Sequence, residues 1–330
     1  MKRLIILITL FSTIQSCEKK EKNMITQNSD INSKNIVEEL TKHVRHYSSE
    51  KIYGFRYENF NCFIEIYIND RLCYKDFRDS KAGSSFDINH CIYKSGTQKL
   101  TYRMYPAING SQNVAKFPES TYLTFQLETY DLKNESADDI VYQKYKTPVV
   151  ISKDENGNKT EKFIATGREY YEESFEFEAQ VAYQLENFEN ARDLRKLDSK
   201  VLEEKLVKQY NVLRDFYKNK EYDNIAKTSF NSLKDQFISE YAKKETIEAT
   251  WNELMAFYKD PSLEMQPIEN YKIVFFADGK LVALMQTTNE NRLRGNTSLW
   301  AKVNHDGGLR PLFLNSYFYI PKGKTEFEIY

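Results

Sequence analysis

Cysteine is scarce in this chain of 330 residues: Cys17, Cys62, Cys73 and Cys91 are all there is. So few thiols cannot build a disulfide scaffold, and the last three, an odd set, allow at most one bridge. Their spacing matches no zinc pattern, and His90 beside Cys91 is a pair rather than a cluster. Glycine (11) and proline (7) are also low, which excludes collagen-like and low-complexity chains. Neither sign of charge prevails: 47 basic and 48 acidic residues leave a net of −1, against a general nucleic-acid binder with its basic excess. The chain has no GxSxG elbow, no HExxH helix and no glycine-rich phosphate loop, so none of the standard nucleophile, zincin or nucleotide sites is expected.

Long apolar runs are missing too. The run Leu4–Phe11 after Lys2 and Arg3 is far too short to span a bilayer as a helix, and a basic start before a short apolar core has the layout of a secretory signal. It exits through Ile14-Gln15-Ser16-Cys17, which resembles the lipobox of bacterial envelope lipoproteins; Gln15 stands where a smaller residue is commoner. The resemblance implies a signal peptide over 1–16, cleavage before Cys17 and a diacylglyceryl thioether on it. Each buried methylene then adds about 0.8 kcal/mol to membrane attachment. Residues 17–35, rich in Lys, Glu, Asn and Ser, read as a flexible polar tether. The implied place is the cell envelope, the outer membrane before the inner, with the face left open.

What is abundant is aromatic: 24 Tyr and 21 Phe. From residue 50 onward these alternate with polar residues. Cys62, Ile64, Ile66 and Ile68 share one face, and Asn69-Asp70 marks a reversal into a second strand. A two-residue turn sets Ile66 opposite Cys73; a three-residue turn sets it opposite Tyr74 and keeps the apolar face more continuous, so it is preferred. Leu100, Tyr102 and Met104, then Leu123, Phe125 and Leu127, then Phe175 through Leu185 repeat the period of two. Sheets covered on one side must bury that side against each other, and the reading for 36–187 is an antiparallel β-sandwich, immunoglobulin-like or C2-like in architecture. Residues 36–49 could add a short helix.

Near Glu189 the period becomes helical, with helices expected over 190–219, 221–241 and 246–260, the last closed by Asp260-Pro261. Strands return from 268, led by a hairpin around Asp278-Gly279. The whole reads as mainly β with a central helical segment, the 188–330 part being an α+β domain. Helices followed by a curved sheet resemble the NTF2-like arrangement, without its strand between the helices.

Candidate chemistry is thin. His43 and His46 lack a carboxylate partner, and Asp154, Glu155 and Asn156 lack EF-hand spacing. His305-Asp306-Gly307-Gly308 has residue types for acid/base work but reads as a hairpin connection. The expectation is therefore a non-catalytic, lipid-anchored envelope protein that binds a protein or glycan partner, with Cys17 its one site residue. No cofactor, metal, catalytic residue or nucleic-acid partner is expected. A periplasmic immunity or inhibitor protein, and a hydrolase with a dispersed active site, are the alternatives.

Overall fold

The computed structural model describes residues 26–330 except 109–111, 135–139, 154–155 and 187. The signal peptide, Cys17 and most of the tether lie outside these residues, as do Asp154 and Glu155. Residues 27–35, expected in the tether, are instead held down. Ile31 is buried, Gln27 exchanges hydrogen bonds with the Ile329 backbone, and the Trp251 indole donates to the Ser33 carbonyl.

The first half is built from β1 (Lys51–Phe60), β2 (Cys62–Ile68), β3 (Arg71–Asp76), β4 (Lys81–Asp87), β5 (Gly96–Ile108), the short β6 (Gln112–Asn113), β7 (Tyr122–Asp131), β8 (Ile140–Lys146), β9 (Val149–Lys153), β10 (Lys159–Phe163) and β11 (Tyr171–Ala179). One antiparallel sheet runs β4-β1-β7-β8 and the other β11-β5-β2-β3, while β9 and β10 pair separately. Tyr53, Phe55 and Phe125 from the first sheet meet Ile64, Ile66 and Tyr102 from the second in one apolar cluster. The arrangement is sandwich-like. Contrary to the expectation of sheets wet on one side, β2 is buried along its whole length. Its other face presents Phe63, Glu65 and Tyr67, and Tyr67 packs with Phe276, Leu281, Ala283 and Met285 of the second half. A central strand covered on both faces reads as near-continuous hydrophobicity, and in FIEIYI Glu65 alone interrupts it.

The first two of the expected helices are shorter than their sequence windows, and the third starts at Lys244, two residues before its own. Asp198 caps α2 (Ser199–Lys218) by accepting from the Lys200 and Val201 amides, and residues 194–196 before it form a 3-10 turn. A cap of this kind satisfies amides that the first helical turn leaves unpaired, so the helix starts there. With α3 (Tyr222–Ser239) and α4 (Lys244–Lys259), it buries Leu206, Tyr210, Phe216, Ile225, Phe237, Ile247 and Trp251 in a common core. Each such side chain contributes about 1.5–3 kcal/mol of burial. The short α1 (Ile36–Thr41), expected within the sandwich, places Ile36 and Leu40 in this helical core.

The C-terminal strands are β12 (Glu264–Met265), β13 (Tyr271–Phe276), β14 (Leu281–Gln286), β15 (Trp300–His305), β16 (Gly308–Phe313), β17 (Phe318–Tyr319) and β18 (Glu328–Ile329). They form two small sheets, β12-β15-β16 and β13-β14-β17-β18. The β13–β14 hairpin turns on Ala277, Asp278 and Gly279, all at positive φ.

Candidate metal centre

The turn between β2 and β3 carries both Asn69 (φ 51°) and Asp70 (φ 60°) in the left-handed region. This is the two-residue type I′ geometry, whose twist matches that of the flanking strands. It pairs Ile68 with Arg71 and Tyr67 with Leu72, yet Ile66 then pairs with Tyr74. Both registers weighed from sequence are thus present, one on each side of a bulge. Cys73 is the extra residue. Bulges re-aim a side chain while returning the rest of the strand to its proper face; here Tyr74 goes back to the sandwich core and Cys73 is left out of the ladder.

Opposite it, the 3-10 turn Asn89–Cys91 follows β4. Asn89, 1% exposed, pins the turn. Its Oδ1 accepts from the Tyr53 amide at 2.7 Å, its Nδ2 donates to the carbonyls of Lys51 (2.9 Å) and Ser239 (3.0 Å), and its own carbonyl accepts from the Tyr183 hydroxyl at 2.9 Å. The turn is therefore tied to β1 and to the end of α3 at once.

These two elements bring Cys73 Sγ, a ring nitrogen of His90 and Cys91 Sγ within 4.8 Å of one another. Cys73 Sγ lies 3.8 Å from His90 Nε2. With Zn–S of about 2.3 Å and Zn–N of about 2.0–2.1 Å, ligand atoms of a tetrahedral zinc stand roughly 3.5–3.8 Å apart. The donor set, two thiols and an imidazole, is also the chemistry that zinc prefers. Cys91 is fully buried, whereas Cys73 and His90 each keep part of their surface in solvent.

The local charges favour a thiolate. Burial opposes ionisation of Cys91, but the Cys73 hydrogen bond, the His90 ring and the Arg71 guanidinium outweigh it and hold its thiol well below the ordinary range. The Cys91 charge in turn raises His90. Burial, reinforced by the neighbouring Cys91, pushes the Cys73 thiol up, so Cys73 is the proton-bearing partner. Arg71 Nη1 donates to the His90 carbonyl at 2.8 Å and to the Tyr330 hydroxyl at 3.1 Å, and its guanidinium lies 4.8 Å from the Tyr330 ring centre. The Tyr330 hydroxyl in turn donates to Asp235 Oδ2 at 2.8 Å. Arg71 thereby keeps a cation beside the cluster and links it to α3.

The expectation of a non-catalytic protein is corrected by this cluster. Three side chains of ligating type converge, and Cys91 among them is held toward the thiolate that metal or nucleophilic chemistry requires. Sequence spacing missed it because Cys73 and His90 meet only once the β2–β3 hairpin and its bulge are in place. The adjacent pair His90-Cys91 was the one signal available.

The other candidate residues stay apart. Cys62 is buried in the sandwich core, its Sγ 3.6 Å from the Tyr122 carbonyl, and burial pushes its thiol up. His43 packs edge-on to Phe230, and His46, contrary to expectation, has a carboxylate partner, its Nδ1 lying 2.9 Å from Glu50 Oε1; α1 ends before both. His305 and Asp306 lie 3.4 Å apart, exposed, with Asp306 (φ 50°) and Gly307 (φ 72°) forming the β15–β16 turn. A cavity of about 870 Å³ is lined by Asn69, Tyr93 and Lys280 among others, and none of the three ligands reaches its wall. Among the described residues no helix is long and apolar enough to cross a membrane. The chain matches no protein-family model, no curated protein and no solved structure.

Proposed function

We propose that this chain is a metal-dependent hydrolase, its ion held by Cys73, His90 and Cys91. The observation that carries the reading is the convergence of two thiols and an imidazole, from a bulged strand and a pinned turn, all within 4.8 Å of one another and one pair at 3.8 Å. Three protein ligands are the catalytic pattern of zinc, with the fourth position left for water, whereas structural sites use four. An ion there supplies Lewis acidity and a water acidified toward neutrality. The chain's own residues hold and orient: Cys91 as the ready thiolate, Asn89 and Arg71 as anchors of the turn. Asp87 and Glu240 stand within electrostatic reach of His90 and add negative charge behind it.

The export features extend the proposal. Lipidation at Cys17 would tether the enzyme to the cell envelope, where its sandwich, of immunoglobulin-like or C2-like kind, would engage a protein or glycan. The test is metal content by mass spectrometry of the purified chain, followed by a panel of chromogenic esters, phosphodiesters and peptides. One equivalent of zinc is expected, lost in Cys91→Ser and His90→Ala and kept in Cys62→Ala, with hydrolysis that follows the metal. A chain that holds no zinc and hydrolyses nothing after zinc is added overturns the reading.

A further inference from the structure

A second site stands beyond the far end of β3. A cavity of about 370 Å³ is lined by Lys75 and Arg78 from one side and Arg292, Arg294 and Arg310 from the other, with Asp76 as its one carboxylate among the described residues. In a chain whose net charge is −1, five cations on one small cavity are a strong local imbalance. Asp76 does little to offset it: Oδ1 is taken by the backbone amides of Arg78 and Asp79, at 2.8 and 3.1 Å. None of the five cations lies within 4 Å of a described carboxylate oxygen, although Glu65, bound by the Tyr67 and Tyr105 hydroxyls, acts at longer range on Lys75 and Arg294.

Two of them are positioned with care. Lys75 Nζ donates to the Gly295 carbonyl at 2.5 Å and to Asn296 Oδ1 at 2.6 Å, both neutral acceptors. Arg294 is seated on aromatic rings, its guanidinium 4.4 Å from the centre of Phe77 and 4.7 Å from that of Tyr105. Stacking fixes the plane of a guanidinium and leaves its N–H edges available. Arg78, Arg292 and Arg310 are exposed around the opening. Burial lowers both Lys75, to about 8, and Arg294, so each carries a desolvation cost that an incoming anion would relieve.

We infer that the cavity between β3, the 291–296 loop and β16 binds a phosphate-type oxyanion, through the seated Lys75 and Arg294 and the exposed arginine side chains at its mouth. Guanidinium groups match phosphate oxygens two at a time, and with Asp76 and Glu65 set against five cations most of this charge stays unmatched. The site uses none of the three metal ligands and stands or falls independently of them.

Free phosphate and a phospholipid headgroup share this chemistry, and the experiment separates them. Titration calorimetry of the full chain with inorganic phosphate, against chloride at equal ionic strength, is paired with flotation on phosphatidylglycerol and phosphatidylcholine vesicles. The comparison variant carries Arg78→Gln, Arg292→Gln and Arg310→Gln, exposed positions at which the fold does not depend on the charge. Saturable phosphate binding is expected, weakened roughly tenfold or more in the triple variant, since each charged hydrogen bond lost carries about that factor. Binding to phosphatidylglycerol vesicles alone, lost in the same variant, assigns the site to a headgroup. Wild type that responds to neither probe beyond its chloride and phosphatidylcholine controls, or a triple variant that binds as well as wild type, overturns the inference. Zinc content, measured in parallel, should be the same in both proteins.

Discussion

Replacing Asn89 with Ala tests whether the turn bearing His90 and Cys91 is held as described. The substitution removes three hydrogen bonds and leaves the Tyr53 amide and the Lys51 and Ser239 carbonyls without this partner. An unsatisfied buried polar group costs about 1–3 kcal/mol. The amide has one proton and no alternative, while a carbonyl keeps a second lone pair, so the sum falls at roughly 3–5 kcal/mol. Urea unfolding followed by tyrosine and tryptophan fluorescence measures it. Zinc affinity should fall with it, by about tenfold to a hundredfold, the usual cost of losing an outer support of a metal ligand. Asn89→Asp keeps the acceptor for Tyr53 but turns a buried carboxylate oxygen toward the Lys51 and Ser239 carbonyls, and should be no more stable than Ala and no tighter for zinc. A loss under about 1 kcal/mol, with zinc affinity unchanged, would refute the pinning of the turn.

The half-buried Lys75 predicts a pH dependence. Its folded pKa, about 8, lies below the ordinary 10.5, so between these values the unfolded chain binds the extra proton and stability rises with pH. Wild type should gain stability relative to Lys75→Met across that window, and parallel curves would contradict it. At the β15–β16 turn, Gly307→Ala should cost about 1 kcal/mol because φ is positive there, whereas Gly308→Ala and His305→Ala should stay within ~0.5 kcal/mol by denaturant midpoint. Globomycin should cause the unprocessed precursor to accumulate in cells if Cys17 is the lipidated residue, and normal processing would exclude it.

The strands and helices were legible because their periods are local. Leu100, Tyr102 and Met104 face the core as alternation requires, and the α4 residues Ile247, Trp251, Met255 and Tyr258 are buried at helical spacing. The β2–β3 hairpin was half legible. Asn69-Asp70 called for a tight turn and the apolar pattern beyond it called for the other register, and each local preference prevails on its own side of the bulge at Cys73. The coverage of β2 by β13 and β14 was hidden, since Glu65 reads as a solvent residue although Tyr67 and Tyr105 hydroxyls hold its carboxylate in a buried setting. The metal centre lay further out of reach. Its parts come from a bulge and a 3-10 turn, neither of which has a strong sequence signature, and are joined by tertiary contacts through Asn89 and Arg71.

X-ray absorption at the zinc edge on the metal-loaded chain addresses the central claim most directly. The account predicts one zinc with two sulfur scatterers at about 2.3 Å and nitrogen or oxygen at about 2.0–2.1 Å, and loss of one sulfur from the shell in Cys73→Ser. A shell of nitrogen and oxygen alone, or one unchanged in Cys73→Ser, would contradict it.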